Sequence, residues 1–216
     1  MIFTAQALLF DLDGVLVDSA PAVERTWRTW ARIHGLDPAC AVEQAHGRRS
    51  IETIRALAPD LDAATENKIV ERMEIEDRAG VTALPGAMEM LHGLPPNRYT
   101  IVTSATRALA SARLGYAGLP VPARMVTADD VIEGKPSPEP YRKGAALLGF
   151  AADECIVFED TPAGITAGYN AGMRVIALAT TYPKQALEAA AAIVASLAGV
   201  RPEVHKDSLV LRLVIG

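Results

Sequence analysis

Short apolar runs recur along the chain, separated by longer stretches with helical spacing. Residues 7–10 form the first run, which stops at Asp11. Residues 99–103, 124–127, 155–158, 174–177 and 192–194 follow. Each contains Val, Ile, Leu, Tyr or Phe, and each gives way to polar or turn residues. Strands alternating with helices predict an α/β protein with a Rossmann-like parallel sheet, covered by helices on both faces.

One interval breaks this rhythm. Between Ser19 and Ala83 the pattern is helical, with no convincing strand. Ser19 is placed to cap a helix with Pro21 in its first turn, and Gly35 to end it. Asp18 also reads as a cap. Val23, Trp27, Trp30 and Ala31 share one face, which reads as packing. Residues 50–58 form a second helix, closed by Pro59, and residues 65–79 a third, highly charged one. The expected division is therefore an α/β core of residues 1–17 and 84–216, with a small helical cap domain of residues 18–83 inserted into it. Beyond it, Thr161-Pro162 reads as a helix start. Gly164, Gly168 and Gly172 then line a face that can lie close to the sheet. Residues 208–215 alternate loosely, as an added strand or hairpin would.

The chain has 216 residues, half of them apolar, enough for a sizeable core. A net charge of -5 offers no basic footprint for nucleic acid or for an anionic membrane. No apolar run approaches the roughly 18 residues of a membrane span. The start, Met-Ile-Phe-Thr-Ala-Gln, lacks the pattern of a secretory signal. Cys40 and Cys155 read as reduced, buried thiols. These features lead to the expectation of a soluble, monomeric cytoplasmic protein whose partner is a small molecule.

The candidate chemistry lies where the strands end. Asp11-Leu12-Asp13-Gly14 sets two carboxylates at the close of an apolar strand, in the crevice where ligands bind on open α/β sheets. Alone, such a pair could simply cap a turn. Glu159-Asp160 ends another strand candidate. If those strands are neighbours, four carboxylates converge, and Mg²⁺ suits such an all-oxygen site. Thr103-Ser104-Ala105-Thr106 offers hydroxyls and backbone N–H groups that can cradle phosphate. Lys135, in Glu133-Gly134-Lys135-Pro136-Ser137-Pro138, can act as a fixed point charge.

These stretches, in this order and at this spacing, resemble the motifs of the haloacid dehalogenase superfamily over nearly the whole chain. The helical insert resembles the cap of phosphatases related to β-phosphoglucomutase. The resemblance implies Asp11 as nucleophile, forming an aspartyl-phosphate, and Asp13 as general acid and then base. It implies that Asp11, the backbone carbonyl of Asp13, and Asp160 hold Mg²⁺, with Glu159 a direct or water-mediated ligand. Thr103, the N–H groups of Ser104 and Ala105, and Lys135 would bind the phosphoryl oxygens. Asp13 favours phosphoryl transfer over dehalogenation. Lys68, the insert's one lysine, looks solvated and unlike a Schiff-base lysine.

The loop His46-Gly47-Arg48-Arg49-Ser50 reads equally as a substrate-closing loop or a solvated turn. Its likeness to glycerol-phosphate and 2-deoxyglucose-phosphate phosphatases implies substrate contact by His46, Gly47 and Arg49, ahead of Arg48. Arg107 and Arg113 read as surface decoration of the helix after Ser104. The expected activity is hydrolysis of a small polyol or sugar phosphate. The alternatives are a phosphomutase, disfavoured because Val23 stands near the position where mutases of this group carry a histidine, and an inactive metabolite- or partner-binding homologue.

Overall fold

The computed structural model describes residues 1–45, 47–206 and 208–213. In chain order the elements are β1 (Ile2–Ala5), β2 (Ala7–Phe10), β3 (Val17–Asp18), α1 (Ala20–Ile33), α2 (Pro38–Ala45), α3 (Ser50–Leu57), α4 (Ala63–Glu76) and β4 (Thr82–Ala83). Then come α5 (Ala87–Gly93), β5 (Tyr99–Ile101), α6 (Arg107–Tyr116), α7 (Glu139–Leu148), β6 (Cys155–Glu159), α8 (Pro162–Asn170), β7 (Arg174–Leu178), β8 (Ala192–Val194), β9 (Val200–Val204) and β10 (Leu209–Leu213).

The main sheet has the order β5-β2-β6-β7-β8, and its strands are parallel. It is covered on both faces, so β2 can be apolar at every position. Strand alternation sends Leu8 and Phe10 to one face, with Ile101, Ile156 and Phe158, against α5 and α6. Ala7 and Leu9 point the other way, with Val157 and Val175, against α7 and α8. Phe10 stacks on Phe158 with ring centroids 5.0 Å apart. Strand β2 has β5 on one side and β6 on the other, so the chain switches direction across the sheet above its C-terminal end. Open α/β sheets bind ligands at such a point. The register pairs Phe10 with both Ile101 and Phe158. The next residue, Asp11, therefore emerges beside Glu159.

A second sheet, β1-β10-β9, is antiparallel and shares the α5/α6 core through Leu209, Leu211 and Leu213. The expected tail hairpin is thus present as far as residue 213, and β1 joins it as a strand the sequence pattern did not reveal. Residues 124–127 depart from expectation: they form a single bridge, Val126 to Val102, not a strand. The chain there turns at once into a short helical turn, where Thr127 and Asp130 cap each other. Gly168 does let α8 approach the sheet, since a Cβ there would lie 2.7 Å from Val175. Gly172 meets nothing; with φ +86° it serves the turn after α8.

Helices α1–α4 lie between the paired strands β3 and β4 and have their own core of Trp27, Trp30, Ala31, Ala41, Ile54 and Val70. The two indoles meet edge to face at 5.4 Å. Helix α2 was not apparent in the sequence pattern, being short and alanine-rich. Asp62 caps α4 by accepting the Ala64 N–H at 3.2 Å. Asp18 likewise accepts the Ala20 N–H at 3.2 Å. Ser19 occupies the cap position, but its hydroxyl makes no capping bond. Among the described residues, no helix is long and apolar enough to cross a membrane.

Candidate active site

Three carboxylates gather at the C-terminal ends of β2 and β6. Ligand oxygens of Asp11, Glu159 and Asp160 lie within 4.8 Å of one another, and all three residues are buried. Carboxylates this close repel, and burial penalises their charge. One local cation offsets part of this. Lys135 places Nζ 2.8 Å from Asp11 Oδ1 and 2.6 Å from Glu159 Oε1. It is buried over the Tyr141 ring.

The environment divides the three acids. Burial pushes the Asp11 carboxyl up to about 7, with Lys135 opposing and Glu159 adding to the rise. Burial also lifts Asp160 well above the carboxylate range, reinforced by Glu159 and Asp11. For Glu159 burial is outweighed by Lys135 and by hydrogen bonds from Tyr141 and Thr161, so it sits below its ordinary value.

Glu159 is held by five donors. Its Oε1 accepts from Lys135 Nζ and, at 2.8 Å, from the Tyr141 hydroxyl. Its Oε2 accepts from the Asp160 and Thr161 N–H groups and the Thr161 hydroxyl, at 3.0 to 3.1 Å. Asp160 differs: Oδ1 is buried without a hydrogen-bond partner among the described residues, while Thr181 bonds the side chain. Two glycines make this packing possible. At Gly14, whose φ is +78°, a Cβ would lie 1.9 Å from Asp160 Oδ2; at Gly164, a Cβ would lie 1.8 Å from Glu159 Oε1.

Asp13 lies beyond the cluster, half-buried. Its Oδ1 accepts the Ser19 hydroxyl at 2.6 Å, and its Oδ2 pairs with Arg113 at 2.7 Å. Asp11, Asp13, Asp160, Thr103, Ser104 and Ala105 all line one cleft of about 440 Å³ between the sheet and the helical layer. The Thr103 hydroxyl accepts the Ala105 N–H at 3.1 Å, a tight turn just after β5. The Ser104 hydroxyl reaches across to the Gly47 carbonyl at 3.2 Å.

The helical layer's loop is only partly as expected. His46 lies outside the described residues. Gly47 does line the cleft, packed on Thr161. Arg49 does not: its guanidinium donates to the carbonyls of Ile132 at 2.9 Å and Ala128 at 3.3 Å, tying the loop to the sheet side. Arg48 lines the cleft in its place.

Arg113 is the largest omission from the sequence reading. It is 5 % exposed and paired with Asp13 and Glu74, not a surface ornament. The signal was available: Leu109, Ala110, Arg113 and Leu114 form one buried stripe of α6. Tyr141 was also missed, and it holds Glu159. Lys68 is exposed, as expected.

A family model described as haloacid dehalogenase-like hydrolase matches residues 8–178. Hexitol phosphatase A of Escherichia coli (strain K12) is 46% identical over 181 residues, covering 80% of this chain and 82% of its own. Glycerol-1-phosphate phosphohydrolase 2 of Saccharomyces cerevisiae is 35% identical, covering 82% and 75%. In structure, a hydrolase from Pseudomonas syringae superposes with a TM-score of 0.80 at 24% identity, over 89% of this chain and 94% of its own.

Proposed function

The chain belongs to the haloacid dehalogenase-like hydrolase family, and from that premise we propose that it hydrolyses monophosphates of small polyols or sugars, with Asp11 as nucleophile. The observation that carries this is the Asp11–Glu159–Asp160 cluster, with Lys135 in contact, whose Asp11 and Asp160 line a cleft sized for a small molecule.

The cluster suits a divalent metal. Fully ionised, three carboxylates and one ammonium would leave two negative charges uncompensated, and among the described residues the buried Asp160 Oδ1 lacks a partner. An all-oxygen donor set of this kind fits Mg²⁺. Asp11, Asp160 and the Asp13 carbonyl would hold it; both oxygens of Glu159 are already engaged, so its contact is through water or by exchange of a donor. Bound there, Mg²⁺ would supply positive charge against the phosphoryl oxygens.

The remaining chemistry belongs to the chain. An Asp11 oxygen forms a bond to phosphorus as the bond from phosphorus to the substrate's oxygen breaks. Asp13 gives its proton to the departing alcohol. Asp13 then takes a proton from water, which attacks phosphorus, releases phosphate and restores Asp11. Lys135 neutralises the anionic nucleophile, which otherwise repels a phosphate dianion. Phosphate monoester hydrolysis is among the slowest uncatalysed reactions, and fixed charge of this kind is the main available source of acceleration.

The far side of the cleft indicates the substrate's other end. Glu71, Glu74, Asp18, Ser50 and Thr106 line it, with Trp27, Val23 and Leu84. Arg113, which also lines the cleft, neutralises Glu74, so Glu71 and Asp18 with the hydroxyls are the groups that suit a neutral, hydroxyl-bearing tail. The named relatives are a hexitol phosphatase and a glycerol-1-phosphate phosphohydrolase. Residues 18–83 act in this reading as a cap over the core of residues 1–17 and 84–216, excluding water from the phosphoryl centre.

The test is phosphate release from hexitol, glycerol and hexose monophosphates, with Mg²⁺ and with EDTA. Release that needs the metal and is lost in Asp11→Asn is expected. Full activity in Asp11→Asn, or isomerisation without phosphate release, refutes the proposal.

A further inference from the structure

Arg113 is the most buried cation outside the phosphoryl centre that any cleft-lining element supplies, and its two ends do different things. Nη1 lies 2.7 Å from Asp13 Oδ2, and Nη2 lies 3.3 Å from Glu74 Oε2. Asp13 sits in the turn after β2, Arg113 on α6 and Glu74 on α4. Three segments remote in sequence thus meet through one guanidinium. Glu74 is itself 6 % exposed and bonded by Trp27. Burying a cation and a carboxylate this fully is costly unless geometry repays it. A planar fork fixes the directions of both partners, as a flexible ammonium cannot.

The two oxygens of Asp13 are therefore not equivalent. Oδ2 is committed to Arg113. Among the described residues Oδ1 meets only the Ser19 hydroxyl, at 2.6 Å, and a hydroxyl rotates and exchanges readily. Oδ1 is the oxygen left to carry a proton to and from the substrate. Helix α4 also touches α6 through a hydroxyl contact from Thr106 to Glu71, and through the Tyr116 hydroxyl on the Ile75 carbonyl at 2.7 Å. The seat of α4 on α6 thus sets where Glu74, and through it Arg113, can stand.

We propose that Arg113 and Glu74 are positioning residues for Asp13, coupling the docking of the helical layer to the orientation of the acid/base carboxylate. This rests on the phosphatase reading above. Neither residue exchanges a proton with substrate. Arg113 holds the Asp13 carboxylate plane so that Oδ1 meets the departing oxygen, and Glu74 holds Arg113.

The experiment compares leaving groups. kcat/KM reports steps through departure of the alcohol. An alkyl phosphate needs a proton at that step, whereas p-nitrophenyl phosphate needs it far less. General acid catalysis contributes about 10²- to 10⁴-fold. Asp13→Asn should therefore lose about that much on glycerol phosphate and much less on p-nitrophenyl phosphate. Arg113→Met in the Mg²⁺-loaded enzyme should show the same selectivity, losing roughly 10²-fold on the alkyl ester and under about tenfold on the aryl ester. Glu74→Gln should show it in weaker form. The Asp13→Asn/Arg113→Met double variant should be no worse than Asp13→Asn, as expected for residues acting as a unit.

Equal losses on both esters in Arg113→Met overturn the proposal, as does a double variant whose losses multiply. Should Arg113→Met fail to fold by circular dichroism, Arg113→Lys keeps the charge without the fork and must show the same selectivity. A wild type that releases no phosphate, or an Asp13→Asn variant without leaving-group selectivity, refutes the phosphatase reading itself; a selective Asp13→Asn beside a non-selective Arg113→Met refutes this inference alone.

Discussion

Gly164→Ala is expected to destabilise the protein although alanine is the better helix former. An alanine Cβ at this place in α8 would lie 1.8 Å from Glu159 Oε1, 1.9 Å from Cδ and 2.2 Å from Oε2. Glu159 is fully buried and cannot yield without leaving its donors, Lys135 at 2.6 Å foremost. Breaking a buried, hydrogen-bonded ion pair costs about 3–5 kcal/mol. Replacing a helical glycine by alanine returns up to about 1 kcal/mol. The net loss is then about 2–4 kcal/mol. For a chain of this size, each kcal/mol is worth roughly 2–4 °C, so Tm should fall by about 5–15 °C.

Urea denaturation followed by far-UV circular dichroism measures this; tryptophan fluorescence would not, because both indoles lie in the helical layer. The control is a Glu159→Ala background. With the carboxylate gone, Gly164→Ala should cost nothing, or gain up to about 1 kcal/mol from helix propensity. A single variant melting within a degree of the wild type would refute the packing argument. So would an equal penalty in both backgrounds, which would place the cost elsewhere in α8.

Three further outcomes follow from the same cluster. Lys135→Met leaves Asp11 and Glu159 without their ammonium; it should lower stability by about 3–5 kcal/mol at pH 8 and abolish turnover, read by urea midpoint and phosphate release. In EDTA, wild-type stability should fall as pH rises between the ordinary carboxylate range and about 7. The folded state holds protons on Asp11 and Asp160 that the unfolded chain releases, so each rise in pH through this range favours the unfolded chain. Asp11→Asn should make that slope shallower, and an unchanged slope would assign it to other groups. Finally, a polyol bisphosphate should react with kcat/KM at least about tenfold below its monophosphate, because its second anion meets Glu71, which has no ion-pair partner among the described residues; equal rates would contradict the substrate assignment.

The expected site was legible where parallel strand register makes it local. Residues 7–10 and 155–158 are each followed at once by acids. Once β2 and β6 pair with Phe10 opposite Phe158, Asp11 and Glu159 must emerge together. Nothing beyond strand ends and their adjacency is needed, and the same logic places Thr103 after β5. The α/β pattern was equally open to reading, because a sheet buried on both faces needs apolar runs such as 7–10. Elements that escaped were those with weak local patterns: β1, which pairs with the distant β10, and α2, too short and too rich in alanine to show a face.

Arg113 and Glu74 failed for a different reason. A charged residue on a helix reads as solvated because, by frequency, it usually is. The stripes they occupy, with Leu109, Ala110 and Leu114 on α6 and Val70 on α4, do announce burial. What no local pattern announces is the partner, since Asp13, Glu74 and Arg113 come from three separate segments. Their meeting depends on how the helical layer docks. The exchange of Arg48 for Arg49 at the cleft has the same origin, because the Ile132 and Ala128 carbonyls that hold Arg49 belong to a loop far along the chain. Residues that perform the chemistry sit at the ends of regular elements and can be read from them. Residues that orient the chemistry across the docked layers are decided by the docking, so a buried charge on a helix face is a reason to look for a carboxylate on the opposing layer.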